Sequence, residues 1–432
     1  MKQAAQSALV GVASAMSLAL GVEEGAAAGF ALITQGASGL GNAFAGAAAL
    51  GDDATTVFFN PAGMTRLGRT EVVAGGSAIN LQASFSGSST RPVAMGGGTN
   101  TGGQGGDPGG LTVVPSLYVV MPLNDRTSVG LGVGVPFGLQ TEYDSSWVGR
   151  YQGIKSALQS ININPSVAYK LTDTLSVGVG LNYQRIDVEL TNAVVLGAGS
   201  EGRTHLKAND ASWGWNAGVL WQVTPATRIG ASYRSGIRHE TNGSTTTTTP
   251  AGTVVSAASG ATRASAVLPS MYSLSVVQQI SPALDLLADV TFTQWANIQQ
   301  IAVVNPATGT NRDILAFDFD NSWRYSLGAH YRLSSTWMLR AGIAYDMTPV
   351  KDARHRTVRL PDADRTWLSF GARWTLSPTS SIDIAYSHLL LADVDVNFTR
   401  SQLSAPTTTS STVTGRYTGS VNILALQYVH RF

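Results

Sequence analysis

From residue 70 to residue 432 the chain repeats one pattern, in which apolar residues alternate one by one with polar residues or glycine. "LSVGVGLNYQ" sets Leu175, Val177, Val179, Leu181 and Tyr183 against Ser176, Gly178, Gly180, Asn182 and Gln184. "WMLRAGIAYDM" sets Trp337, Leu339, Ala341, Ile343, Tyr345 and Met347 against Arg340, Gly342 and Asp346. "IDIAYSHLLLADVDVNF" does the same with Ile382, Ile384 and Tyr386 opposite Asp383 and Ser387, Leu389 and Leu391 being exceptions. Period two puts successive side chains on opposite faces of a strand. A soluble sandwich alternates too, so the second face decides. Here it is polar or Gly over long strands, and the apolar face often carries an aromatic near one end, as a lipid-facing band with interfacial girdles requires.

After residue 30 no apolar run reaches the roughly 18 residues that a helical span needs. A barrel strand needs only about ten, with every second one apolar. Such segments fall at 70–86, 112–121, 127–137, 159–171, 174–189, 205–222, 226–240, 262–281, 284–300, 314–333, 336–348, 362–377, 380–398 and 413–432, fourteen in all. An even number closed into a ring leaves no backbone group unpaired in lipid. Short turns such as "KLTDT" and "RLSST" contrast with long connections at 87–111, 138–158, 241–261, 301–313, 349–361 and 399–412, and the long side of such a barrel faces outward. The terminal "LALQYVHRF" ends on Phe432 in the last strand, which fits recognition by the barrel-assembly machinery. The expected fold class is therefore all-β, a 14-stranded antiparallel transmembrane β-barrel.

The rest of the composition narrows function. Charged residues make up 13% of the chain, against roughly 25% in a soluble domain. With 28 Lys and Arg against 27 Asp and Glu, nothing points to nucleic acid. The absence of Cys removes disulfides, thiol nucleophiles and most structural zinc sites. His205, His239, His330, His355, His388 and His430 are scattered without metal-ligand spacing, Ser387 and His388 fall on opposite strand faces, and there is no G-x-S-x-G. "GLGVGVPFG" stays strand-like with no helix or phosphate-binding Lys behind it. No enzyme, cofactor or metal is expected. The start, "MKQAAQSALVGVASAMSLALGVEEGAAAGF", reads as a signal peptide over 1–28, with Ala26 and Ala28 before a cut at Gly29, although Glu23 and Glu24 are unusual so near it.

Four segments stand out. "DDATTVFFNPAGM" holds Asn60, Pro61 and Ala62, where Pro61 fixes φ and Asn60 can satisfy neighbouring backbone groups. "WVGRYQGIKSAL" spaces Trp147, Tyr151, Ile154 and Leu158 by 4, 3 and 4, one face of a helix, with Arg150 and Lys155 either near a ligand head group or simply solvated. "SVGLGVGVPFG" alternates valines and leucine with Gly130, Gly132 and Gly134 and then adds Pro136, which removes a ladder hydrogen bond. "LPDADRTW" groups Asp362, Asp364 and Arg365, an ionic network able to order a loop against the barrel mouth.

Several of these segments, together with others along the chain, resemble the outer-membrane long-chain fatty acid and hydrocarbon transporter family. The likeness begins at "AGFAL" with "GASGLGNAFAG", runs through "FGLQTEYDSSWVGRYQGIKSALQSININPSVAYKL", "YRSGIRHETNG", "WRYSLGAHYRL" and "YDMTPV", and covers about 28–432. The resemblance implies a partly helical N-terminal hatch over 29–69 inside a barrel over 70–432. It makes Phe30, near the mature N-terminus, and Asn60-Pro61-Ala62 gate and hatch residues, and Trp147, Tyr151, Ile154 and Leu158 an outer capture groove. It puts a kink of the third strand, through which cargo leaves sideways, at Gly130 to Pro136. The expected partners are a hydrophobic small molecule, the bilayer with outer-leaflet lipopolysaccharide, and the assembly machinery. The site would be the outer membrane and the unit a monomer. Cargo stays open between fatty acids and neutral hydrocarbons, and only a positive group in the pocket would favour the carboxylate. A general porin would lack the plug, and a structural barrel would lack an apolar internal space.

Overall fold

The computed structural model describes residues 29–196, 200–404 and 407–432; the expected signal peptide, 1–28, lies outside the described residues. Twenty strand segments form one antiparallel sheet. They are β1 (Glu71–Ser89), β2 (Gly110–Pro122), β3 (Thr127–Gly134), β4 (Gly138–Glu142), β5 (Lys155–Lys170), β6 (Leu175–Val195), β7 (Glu201–Thr224), β8 (Thr227–Arg234), β9 (Ile237–Thr248) and β10 (Gly260–Leu268). The second half comprises β11 (Met271–Gln279), β12 (Leu284–Thr293), β13 (Gln300–Val304), β14 (Asn311–Ala316), β15 (Ser322–Arg332), β16 (Trp337–Asp346), β17 (Arg365–Ser377), β18 (Ser380–Leu391), β19 (Val394–Ser404) and β20 (Thr407–Arg431). Six pairs, β3/β4, β8/β9, β10/β11, β12/β13, β14/β15 and β18/β19, are successive pieces of one barrel strand, so the wall has fourteen strands, one for each alternating segment. The ring closes because β1 pairs with both β2 and β20, from Glu71↔Arg431 to Ser89↔Val413.

Burial follows the alternation with the sense reversed from a soluble protein. On β18, Ile384 is 49% and Tyr386 43% exposed, whereas Asp383 and Ser387 on either side of them are fully buried. The apolar face therefore looks outward to lipid and the polar face lines the lumen. Strands run further at the long-loop end than the alternation suggested. Most of 241–248 and of 399–412, read as loop, is strand in β9, β19 and β20. Those stretches are rich in Thr, a good strand former, and have no apolar face to reveal them.

The lumen is filled by residues 29–70. Short helices α1 (Ala37–Leu40), α2 (Ala47–Leu50) and α3 (Thr56–Phe59) and a 3-10 turn over Pro61–Arg66 descend toward the short-turn end and enter β1. Lumen-facing glycines admit the hatch backbone: a Cβ at Gly178 would meet Pro61 and Ala62, at Gly230 Ala48, at Gly342 Asn42, and at Gly371 Gly41. Buried charges fix its lower half. Asp53 accepts from Arg373 and Gln427, both at 3.0 Å, while Arg373 and Arg340 share Asp383. The Ala54 N–H donates to Glu71 at 2.7 Å, and Glu71 pairs with Arg431.

Candidate functional site

Above the hatch the lumen opens into a cavity of about 980 Å³, counted to its open side. Its wall is mostly aliphatic and aromatic, from Leu158, Ile186, Leu206 and Leu268 to Ile301 and Phe317. Arg359 is the charged side chain buried in it, 5% exposed. Its guanidinium donates to neutral groups, the carbonyl of Lys155 (3.0 Å), Ser156 Oγ (2.9 Å) and Asn192 Oδ1 (3.0 Å). Its Nε has no hydrogen-bond partner, and no carboxylate among the described residues forms an ion pair with it. Burial lowers its pKa to about 9, so it carries its charge at neutral pH.

Phe30 forms the floor. It is buried in an aromatic cluster, edge-on to Trp295 with centroids 4.7 Å apart and 6.1 Å from Phe137, and Trp295 continues to Phe319 at 5.9 Å. The backbone on either side of Phe30 is tied to the interruption of the third barrel strand. Leu32 N–H donates to Pro136 O (2.8 Å), Gly138 N–H to Phe30 O (2.9 Å), and Gln35 Nε2 to Val135 O (2.7 Å). Gly29 N–H donates to Asp362 Oδ2 at 2.9 Å. Beside this clasp the wall is incomplete: β2 pairs with β3 only from Leu117↔Val133 to Pro122↔Ser128, and β4 pairs with β5 alone. The unpaired edge of β2 carries outward Leu111 and Val113, 64% and 49% exposed, so this gap faces lipid.

With this plugged barrel, apolar cavity and broken third strand on view, a family match places the chain. The model of the family described as "Outer membrane protein transport protein (OMPP1/FadL/TodX)" matches residues 18–432. The chain belongs to that family. Outer membrane protein P1 of Haemophilus influenzae strain Rd is 33% identical over 432 residues, covering 90% of each chain. The long-chain fatty acid transport protein of Escherichia coli strain K12 is 29% identical over 426 residues, 89% of this chain and 93% of that one. Among solved structures, a Pseudomonas aeruginosa FadL homologue superposes with a TM-score of 0.87 at 25% identity, covering 94% of this chain and all of the other. The Ralstonia pickettii toluene transporter TbuX superposes at 0.67 with 19% identity, over 93% of this chain and 100% of that one, a likeness of fold. This FadL-family chain is thus an outer-membrane channel for hydrophobic compounds and not an enzyme.

The residues singled out in the sequence fall in three places. Asn60 lies at the centre of the hatch: its Nδ2 donates to Ala48 O (2.6 Å) and Val219 O (3.0 Å), and its Oδ1 accepts from Ala62 N–H (3.0 Å), with Pro61 opening the 3-10 turn. Pro136 sits in the break, but Gly130, Gly132 and Gly134 do not. They belong to regular β3, and a Cβ there would strike Met64, Tyr118 and Gln35, so their small size serves the hatch rather than a bend. Asp362 and Arg365 form a buried pair; Asp364 instead accepts from Tyr345 and Thr348.

The helical face expected over 147–158 is a correction. Residues 146–152 form turns, not a helix, because Gly149 and Gly153 interrupt the stretch and β5 begins at Lys155. Trp147 is fully buried and stacked on Tyr143 at 3.9 Å, Tyr151 is fully buried against Ala193 and Val195, Ile154 is 6% exposed, and Leu158 lines the inner cavity. The four share no outward face. Arg150 is held by Glu201, and Lys155 lies 3.6 Å from Glu142 and 3.7 Å from Glu189. Trp295, Phe319 and Arg359 were missed. Arg359 stands three residues before Asp362, and only the inward fold of that loop brings it to the pocket.

Proposed function

We propose that this channel takes up long-chain fatty acids, the alkyl chain lying in the apolar cavity and the carboxylate meeting Arg359. The observation that carries the reading is a buried guanidinium without a carboxylate partner in an otherwise mainly apolar wall. Charge-assisted hydrogen bonds of this kind are about twice as strong as neutral ones. The similarity to the long-chain fatty acid transport protein supports it. Each buried methylene contributes about 0.8 kcal/mol, so capture is easy and release into water is the difficult step. A ligand that displaces Phe30 disturbs the same segment that clasps Pro136 and Gly138, and the neighbouring gap lets the chain pass into lipid without entering water. Gate, clasp and lateral exit need no energy source.

The test is uptake of radiolabelled oleate and of toluene by cells lacking their own transporter, at matched outer-membrane expression. Oleate uptake well above toluene uptake is expected. Toluene uptake without oleate would refute the carboxylate role and assign a neutral hydrocarbon cargo.

A further inference from the structure

The wall carries a second interruption, on the far side of the cavity from the third strand. Between the eighth and ninth barrel strands, β10 pairs with β13 at only two rungs, Arg263↔Val304 and Ala264↔Val303. Pairing resumes at Met271↔Thr293, between β11 and β12, with Gln294 N–H donating to Ser270 O at 3.0 Å just above it. Between those limits the edges of Ser265–Leu268 and of Trp295–Ala302 are not laddered together. The result is an eyelet bounded above and below by strand pairs. The side chains of Leu268, Trp295 and Ile298, each 1–2% exposed, close it.

Its height follows from the rings beside it. Outward aromatic rings run as one row across five strands, Trp215, Tyr233, Tyr272, Phe292 and Trp323, with successive centroids 4.9, 4.8, 6.1 and 4.7 Å apart. Such a row marks the membrane–water interface. The eyelet starts immediately beyond the Tyr272↔Phe292 rung, on the long-loop side. Its outer rim is polar and exposed, with Ser265, Asn297, Gln299 and Gln300. Unpaired backbone is costly in hydrocarbon but not here, where water and head groups reach it.

The cavity extends to this edge. Thr262, Ala264, Ala266 and Leu268 face inward, and exposed Arg263, in the rungs that bound the eyelet, also borders the cavity. Ile298 and Ile301, across the gap from Ala266 and Leu268, line the cavity too, so it reaches both edges of the eyelet. Arg263 forms no ion pair among the described residues. The direct route from above is covered: the β13–β14 hairpin folds over the lumen, Val303 packing on Leu206 and Ala208, and Asp313 pairing with Arg400 of β19.

We infer that the eyelet between β10 and β13 is the entry port, through which an amphiphile with an anionic head passes from the outer head-group layer into the cavity. The anionic head is met first by Arg263 at the rim. The proposal rests on the fatty-acid reading for its cargo but not for its location. Trp295 closes the port and also packs on Phe30, so an entering chain that swings Trp295 aside loosens the floor of the cavity. The two wall gaps then divide the work by the chemistry of their rims, a polar rim for entry and an apolar rim for exit.

The chain has no cysteine, so Ala208→Cys places a single thiol in the cavity. Its modification by hexyl methanethiosulfonate, in whole cells and without any fatty acid, reports access. Narrowing the rim with Ser265→Trp and Asn297→Trp should slow the reaction at least tenfold, and Trp295→Ala should speed it. An unchanged rate in the narrowed port overturns the proposal. So does slowing by Leu111→Trp, at the other gap, to the same extent, and so does a thiol that never reacts. Oleate uptake measured in the same cells decides the cargo separately. A slowed thiol reaction with no oleate uptake in either form keeps the port and discards the fatty acid.

Discussion

Replacing Arg359 by Gln separates a binding role from a structural one. Hydrogen bonds to charged groups are worth about 1.5–3 kcal/mol, and roughly 1.4 kcal/mol is tenfold in affinity. Losing the guanidinium should therefore weaken oleate binding by about 10- to 150-fold. The same side chain also holds Lys155 O, Ser156 Oγ and Asn192 Oδ1, so the substitution loosens the loop as well. That cost falls equally on any ligand of the same shape. Oleyl alcohol, with the same chain and a neutral head, supplies the reference. The assay is displacement of a fluorescent fatty acid from purified protein in detergent, with both ligands titrated against the native protein and Arg359→Gln. The oleate-to-alcohol affinity ratio should fall by at least tenfold while the alcohol's own affinity falls less. An unchanged ratio, with both ligands weakened together, would show that Arg359 only shapes the cavity, and the carboxylate assignment would be wrong.

Other consequences concern the hatch. Asn60→Ala removes three well-formed hydrogen bonds, worth roughly 3 kcal/mol together, and amide exchange over residues 44–66 should accelerate by about a hundredfold while the barrel keeps its heat-modifiable mobility on gels. Gly342→Val drives a side chain into Asn42, an overpacking of roughly 1–3 kcal/mol or more, and should raise leakage of small hydrophilic antibiotics through the lumen. Asp53→Ala leaves Arg373 with Asp383 alone and should cost about 3 kcal/mol of hatch anchoring, seen as higher single-channel conductance in planar bilayers; conductance equal to that of the native protein would mean that the remaining contacts suffice.

The barrel was legible because lipid imposes a rule on sequence. A strand that must face hydrocarbon on one side and a polar lumen on the other can hardly avoid alternating, and all fourteen strands announced themselves this way. Above the membrane the rule lapses, and there β4, most of β13 and the outer ends of β9, β19 and β20 fall in expected loop. The hatch was visible as a segment that does not alternate, and Asn60-Pro61 as a turn whose polar atoms need partners. What could not be read was distance. Gly130, Gly132 and Gly134 looked like room for a bend because sequence does not say which backbone approaches them; the answer is the hatch. Trp147 and Tyr151 looked like a helical face because spacing was weighed above Gly149 and Gly153. Arg359 and Trp295 come from loops whose place is set by long-range packing, and nothing local marks them.

The hatch is held unequally along its length, and this decides which part can move. Its lower half combines buried ion pairs at Asp53 and Glu71 with glycine contacts at Gly178, Gly230, Gly342 and Gly371, where releasing one charge costs roughly 3–5 kcal/mol. The segment from Gly29 to Gln35 is held by hydrogen bonds to Asp362, Pro136, Gly138, Val135 and Tyr118, worth about 5 kcal/mol together, and by the burial of Phe30 and Leu32, worth about 1.5–3 kcal/mol each. An alkyl chain that buries about ten to fourteen methylenes gains about the same. Ligand binding is therefore matched to release of the upper segment and falls well short of expelling the plug. Because that segment also lies beside the broken third strand, the proposed function has the least costly response to a ligand open the wall rather than the lumen, and predicts that small hydrophilic solutes stay out while a hydrophobic one passes.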